Sequence, residues 1–278
     1  NYRFNTVGAS LDRAEFPAYR SYGADQGRAP VNLVRNGDRL LAYRLVVGAD
    51  TVRLDTLPFA GRRSGESATF AIAQGALRFG VAYARAPGRN YQLDVTGTIA
   101  GLEGRGALLL IGLGTGFANV EADSADNYRR YGVVGRLTAP VEKSFSKVSP
   151  GEVAALEGPF DWIAVKSKYF IGALLSADST KPEYGGAVMV GGLRPNRTAT
   201  HTQIWATRPI GADGRFGFSV YLGPLEYREI QPLGRQLDRA SPYGWIFKPI
   251  VMPVSVWITQ LLLWMHQFLH LGYGLVLI

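Results

Sequence analysis

The 278-residue chain reads as a mainly β protein, a large antiparallel sandwich followed by C-terminal helices. Three observations predict it. The 34 glycines divide the chain into many short apolar runs, as recurrent turns do. Aromatic residues make up 12% and are spread through those runs, which suits rings packed between sheets. From Tyr2 to about Leu222, apolar residues either alternate with polar ones or form short runs bounded by Gly, Pro, Asn and Asp. A hydrophobic fraction of 47% supports a sizeable core, and no internal repeat stands out.

Strands are expected in order at Arg39–Val47, Thr51–Leu57, Ala68–Gln74, Leu77–Ala84, Asn90–Ala100, Ala107–Leu113, Trp162–Lys168, Tyr169–Leu175, Ala187–Gly192, Thr200–Thr207 and Phe216–Tyr221. The chain also opens directly in what reads as a strand. Asn-Gly in "RNGDR" (Arg35–Arg39) and Asp-Gly in "GADGR" (Gly211–Arg215) predict tight hairpins, because these pairs tolerate positive φ. After Pro224, Leu225, Ile230, Leu233 and Leu237 recur at near-helical spacing. Pro232 and Gly234 interrupt it, so a short, broken helix closing the sandwich is expected.

The formal charge is +8, but Lys and Arg are dispersed through turns and strands, and no nucleic-acid recognition signature accompanies them. No nucleic-acid partner is expected; attraction to anionic headgroups fits better, given the tail. With no cysteine, disulfides, thiolate nucleophiles and Cys-type zinc sites are excluded. Gly112, Gly114 and Gly116 follow an apolar run, yet the third glycine of a dinucleotide fingerprint is replaced by Phe117, so a glycine-rich strand or bulge is expected. Of the three histidines, only His201 lies in the sandwich region. His266 and His270 are four residues apart with no carboxylate nearby, which suits a polar helix face better than a metal site. Glu121, Asp123, Asp126, Glu152, Glu157, Asp161 and Glu183 read as solvated surface. No catalytic, cofactor or metal residue is assigned.

The tail is the most informative segment. Val254–Leu271 has roughly the 18-residue length of a transmembrane candidate, but its periodicity differs. At about 100° per residue, Ser255, Thr259, His266 and His270 share one sector. Trp257, Ile258, Leu261, Leu262, Trp264, Met265, Phe268 and Leu269 take the opposite face. One wet side, one apolar side and tryptophans at headgroup depth describe a helix lying in the membrane interface. A helix buried against the sandwich shows the same apolar face. The grouping of Trp245, Phe247, Trp257 and Trp264, with Lys248 the last Lys or Arg, favours the membrane. Gly272 and Gly274 end the helix before "GLVLI" begins a new apolar run.

These residues resemble a known family. "FDWIAVKSKYFIGALL" (Phe160–Leu175) carries Trp162, Tyr169 and Phe170; "FSVYLGPLEY" carries Tyr221, Gly223 and Pro224; "YGWIFKPI" carries Tyr243, Gly244 and Trp245. Their order is similar to that in the YidC family of bacterial membrane protein insertases. The resemblance implies a galactose-mutarotase-like β-supersandwich over residues 1–239 facing the periplasm, a linker and interfacial helix over 240–271, and the start of a transmembrane segment over 272–278. It implies a scaffold and contact role at the bacterial inner membrane, without enzymatic activity. The implied partners are the phospholipid bilayer surface, the Sec translocon with its accessory proteins, and nascent membrane proteins. The working groove belongs to segments after Ile278. A carbohydrate-binding or carbohydrate-active sandwich with an apolar C-terminal helix is the other expectation.

Overall fold

The computed structural model describes residues 1–240 apart from 103, 179 and 195–197. The chain divides into two units, Asn1–Glu229 and Ile230–Ile278. It opens with β1 (Tyr2–Asn5), β2 (Ser10–Arg20) and β3 (Pro30–Asn32). Next come β4 (Tyr43–Val47), β5 (Asp50–Val52) and a 3-10 turn at Leu54–Thr56, then a meander of β6 (Ala60–Ser64), β7 (Ser67–Gln74), β8 (Leu77–Arg85) and β9 (Gln92–Ala100). After β10 (Ala107–Gly112), a glycine loop leads to the short helix α1 (Ser124–Arg129), β11 (Gly132–Arg136) and β12 (Pro140–Ser144). β13 (Val153–Phe160), β14 (Trp162–Lys166), β15 (Phe170–Ser176), β16 (Tyr184–Gly191), β17 (Thr202–Ile210) and β18 (Arg215–Pro224) follow, and then the one-turn helix α2 (Tyr227–Ile230).

Among the described residues the strands form three antiparallel sheets. One is β1-β2-β3, the second runs β13-β16-β17-β10-β4-β5, and the third runs β12-β11-β14-β15-β18-β9-β8-β7-β6. The two large sheets make the sandwich that the sequence predicts. Alternation explains why: on β8, Phe79, Val81 and Tyr83 are buried while their neighbours are less so, and successive side chains of a strand point to opposite faces. From the facing sheet, Tyr43 on β4 meets the rings of Phe79 at 5.3 Å and Phe216 at 6.4 Å.

Two buried hydroxyls pin that contact. Tyr83 Oη lies 2.8 Å from the Ala9 carbonyl and 2.8 Å from Tyr43 Oη. A carbonyl can only accept, so Tyr83 donates to Ala9 and accepts from Tyr43. Burial pushes both phenols far above their usual pKa and keeps them protonated.

Several expectations need correcting. The strand expected at Arg39–Val47 starts only at Tyr43, because Leu40 bonds to Leu11 and Leu41 takes a positive φ of 60°. Thr51–Leu57 splits into β5 and the 3-10 turn, where Arg44 and Arg53 both reach Asp55 Oδ2, at 2.9 and 3.3 Å. Gly37 does turn the chain, but between irregular segments, and the turn at Gly211–Gly214 joins β17 to β18 across two sheets, so neither is a hairpin. The helix after Pro224 is broken where Pro232 and Gly234 predict, into α2 and 3-10 turns at Gln231–Leu233 and Leu237–Ala240.

Removing the Tyr83 hydroxyl leaves the Ala9 carbonyl and the Tyr43 hydroxyl unmatched inside the core. Tyr83→Phe is expected to lower stability by about 1–3 kcal/mol in urea unfolding, and Tyr43→Phe by less, because the Tyr83 to Ala9 bond survives. Equal stability of Tyr83→Phe and the parent would contradict the pinning role.

Candidate functional site

Most motif residues within the described chain converge at one end of three strands, and Trp162 lies at the other end. β14, β15 and β18 are consecutive neighbours in the nine-stranded sheet, with Trp162 opposite Leu175, Phe170 opposite Pro224, and Ala173 opposite Tyr221. Trp162 is fully buried on β14. Tyr169, expected to begin a strand, instead sits exposed in the turn between β14 and β15. There Lys168 lies 5.0 Å from its ring and 2.8 Å from Asp126.

Tyr221–Pro224, expected as a strand-to-helix turn, forms the last residues of β18. The turn comes one residue later, where Leu225 N–H donates to the Tyr169 carbonyl at 2.7 Å. Tyr221 Oη donates to the Pro224 carbonyl at 2.8 Å, supplying a partner as the ladder runs out. Burial first, and then the Glu229 charge, hold this phenol well above its usual pKa. Sequence reasoning could not see this extension, because Gly-Pro signals a turn locally while the pairing to β15 is a long-range effect.

Residues that carried no motif complete the cluster. Phe170 packs between Phe16 at 5.9 Å and Tyr19 at 5.7 Å. Tyr91 meets Phe16 at 5.5 Å and Tyr221 edge-on at 6.3 Å. Tyr2 Oη donates to the Leu222 carbonyl at 3.1 Å, and Tyr19 Oη donates to Glu226 at 2.9 Å. Gly223 is required by close approach: a Cβ there would lie 2.7 Å from Tyr91 Cβ. Tyr91 itself has a φ of 59° and accepts Leu222 N–H at 2.9 Å. The result is an aromatic collar around the end of β18.

Tyr243, Gly244, Trp245, Phe247, Trp257, Ile258, Leu261, Trp264, Met265 and Phe268 lie outside the described residues. Among the described residues, no helix is long and apolar enough to cross a membrane, and no cluster of three His, Asp or Glu could hold a metal ion. His201 is half-buried beside Tyr128, and its Nε2 has no partner among the described residues. Burial and then Arg35 lower its pKa to about 4, against the pull of Asp38.

Several carboxylates expected as solvated surface are instead paired. Asp161 meets Arg136 at 2.6 Å, Glu183 meets Arg208 at 2.9 Å, and Asp123 caps α1. Each pairing joins strands or loops distant in sequence or fixes a helix start, which a local polar pattern does not reveal. The glycine stretch is a loop, with Gly114 and Gly116 at φ of 75° and 92° and Thr115 bonded to Asp38 at 2.7 Å.

The geometry defines an antiparallel β-sandwich whose final strand is gripped by an aromatic collar where the chain leaves the sheets. The profile of the YidC periplasmic domain matches residues 1–265, and the chain belongs to that family. The membrane protein insertase YidC of Chlorobaculum tepidum is 23% identical over 272 residues, covering 91% of this chain and 45% of that protein. That of Chlorobium phaeovibrioides is 32% identical over 129 residues, covering 44% of this chain and 20% of that protein. The chain therefore spans less than half the length of these relatives. Among solved structures, an alpha-N-acetylgalactosaminidase from Bifidobacterium bifidum superposes with a TM-score of 0.51 at 11% identity, covering 84% of this chain and 38% of the enzyme. That likeness is one of fold alone.

Two predictions follow from this geometry. Gly223→Ala is expected to cost about 1–3 kcal/mol through overpacking against Tyr91. Gly217→Ala in the same strand, whose nearest neighbour would be 3.6 Å away, is expected to be near neutral; equal effects in urea unfolding would refute the close-approach argument. His201 titrates near 4 folded and near about 6.5 unfolded, so between these values the unfolded state binds more protons. Its contribution to stability is present above about pH 6.5 and is lost as pH falls towards 4. The thermal midpoint of the parent should drop more steeply over that window than that of His201→Gln. Parallel curves would show that His201 carries no linkage.

Proposed function

We propose that this chain is the extracytoplasmic scaffold and partner-contact domain of a membrane protein insertase, non-enzymatic in itself, facing the periplasm at the bacterial inner membrane. The whole protein assists the insertion and folding of nascent inner-membrane proteins, alone or with the Sec translocon and its accessory proteins. Residues 1–239 act as the periplasmic body. Residues 240–271 act as a linker and interfacial helix with Trp245, Phe247, Trp257, Ile258, Leu261, Trp264, Met265 and Phe268 at headgroup depth, and 272–278 begin a span.

One observation supports this most: Tyr169, Phe170, Tyr221, Gly223 and Pro224, five of the motif residues, gather where the last strand ends. Tyr221, Gly223 and Pro224 fix the exit of the chain against Tyr169 and Phe170. A scaffold needs its exit held rigidly, because a loose one would not set the direction of the following segment. The neutral imidazole of His201, packed beside Tyr128, suits a structural position better than proton transfer near neutral pH.

The test is flotation of the 278-residue chain with liposomes containing anionic lipid. The parent is expected to float with the vesicles, with tryptophan emission shifted to the blue, and Trp257→Glu/Trp264→Glu is expected to remain in the dense fraction. Equal flotation of the two proteins would overturn the interfacial assignment.

A further inference from the structure

β1 and β6 start from a common point and then fail to pair. At the apex, Gly8 N–H donates to the Leu57 carbonyl and Phe59 N–H to the Thr6 carbonyl, both at 2.9 Å, and Val7 faces Pro58 in an antiparallel bridge. Continued in register, Phe4 would face Gly61 and Tyr2 would face Arg63. Instead, among the described residues, β1 pairs with β2 and β6 with β7. A cleft of about 960 Å³ opens between them, at the upper end of the roughly 300–1,000 Å³ of ligand pockets.

Both walls present main-chain groups. Glu15 N–H donates to the Asn1 carbonyl, and where the register shifts the extra residue, Asp12, is on β2, so alternation along β1 turns Arg3 towards β2 and leaves Tyr2 and Phe4 facing outward, in phase with Thr6. On β6, the two-residue hairpin at Gly65 and Glu66 is closed by Ser64 and Ser67. That closing pair is hydrogen-bonded, so Arg62 and Ala60 turn towards β7 while Gly61 and Arg63 face outward, in phase with Phe59. All of β6 is exposed. Two strand edges with matched phase, splayed from one apex, form a slot for a third strand.

The lining states what that strand carries. Phe4, Phe16, Phe70, Tyr83, Tyr91 and Leu93 give the cleft an apolar side. Its charged lining is four arginines, Arg3, Arg62, Arg63 and Arg85, against two glutamates, Glu15 and Glu66. Both glutamates are engaged, Glu15 with Arg13 at 3.0 Å and Glu66 with Arg85 at 3.4 Å. Arg62 makes no ion pair among the described residues, and Arg63 donates only to the Gly65 carbonyl, at 3.3 Å. Both of its carboxylates are thus engaged and its side-chain amides are Asn1 and Asn90, whereas unpaired strand edges and free guanidinium groups recognise an acidic polypeptide.

We propose that the cleft between β1 and β6 receives an extended, acidic segment of a partner polypeptide as an inserted strand. Apolar side chains of that segment alternate towards the aromatic side, and its carboxylates, on the other face, meet Arg62, since Gly61 and Arg63 share the face of Phe70. The arginines also guard the edge, since an exposed strand without charges would pair indiscriminately.

The test titrates the 278-residue chain with fluorescein-labelled Ac-(Asp-Val)4-NH2 by anisotropy, with Ac-(Lys-Val)4-NH2 and an oligogalacturonate as comparison probes. The acidic peptide is expected to bind at least about tenfold more tightly than the basic one, and more weakly as salt rises. Arg62→Ala removes the charge that the carboxylates meet and should weaken binding at least about threefold. Arg63→Pro removes the outward N–H on an edge strand where proline is tolerated, and should weaken binding at least about threefold more than Arg63→Ala does. Hydrogen exchange on the parent provides a readout that needs no variant to fold: the amides of Tyr2, Phe4, Gly61 and Arg63 should gain protection with the peptide. Absence of peptide binding, binding without that protection, or tighter binding of the oligogalacturonate than of the peptide would each overturn the proposal. Flotation reads Trp257 and Trp264 whereas this titration reads β1 and β6, so either can fail alone.

Discussion

The contact between Tyr83, Tyr43 and the Ala9 carbonyl is the constraint from which much of the molecule follows. It joins β8 of the nine-stranded sheet, β4 of the six-stranded sheet and the connection between β1 and β2 through two hydrogen bonds of 2.8 Å. Apolar packing alone would tolerate a sliding of the sheets by small steps, because the hydrophobic effect has no direction. Buried hydroxyls do not tolerate it, since each must find its partner or lose the full cost of leaving water. The relative register of the two sheets is thereby fixed. Because Tyr83 also lines the cleft, the same bond sets one side of that cleft and the origin of β1.

Charged groups repeat the logic further along the sandwich. Arg136 at the end of β11 meets Asp161 beside β14, Lys166 meets Glu142 across β11, and Arg208 on β17 meets Glu183 beside β16. At Asp55, burial acts to raise the pKa, but bonds from Arg44 and Arg53 outweigh it and leave the carboxyl below its usual value. Such pairs add little net stability, since desolvation offsets most of their attraction. Their effect is on alternatives: a strand slipped by one residue would leave a buried charge alone, which costs far more than the pair returns.

The sandwich itself was legible in the sequence because its central strands alternate cleanly. β7, β8, β9 and β10 lie within a residue or two of the runs that predict them. What escaped notice has local causes: β2, "SLDRAEFPAYR", is crowded with charge and carries Pro17, and β3 spans three residues. β6, "AGRRS", is an exposed edge with no apolar face, so it has no period to read. β11, "GVVGR", is covered on both faces and too short to separate from a buried turn. β12 and β13 mix charge, glycine and proline, and α1 spans only six residues. The collar was half legible. Phe170, Tyr221, Gly223 and Pro224 could be picked out by their order, but Phe16, Tyr19 and Tyr91 carry no local signal and meet them only through the fold.

Tyr91 is where the two regions of interest become one. Its carbonyl accepts Leu222 N–H, its ring packs on Phe16 and Tyr221, and it lines the cleft beside β1. A non-glycine residue at a φ of 59° is held there only when its surroundings over-determine it. Here the restraints are the hydrogen bond from β18 and the bare backbone of Gly223, which leaves no room for a side chain between them. A residue gripped on both sides cannot follow one neighbour without moving the other. The end of β18, where the chain leaves the sheets, and the aromatic side of the cleft therefore form a single packed unit, and the glycine in the "YLGP" motif is the position that lets them meet.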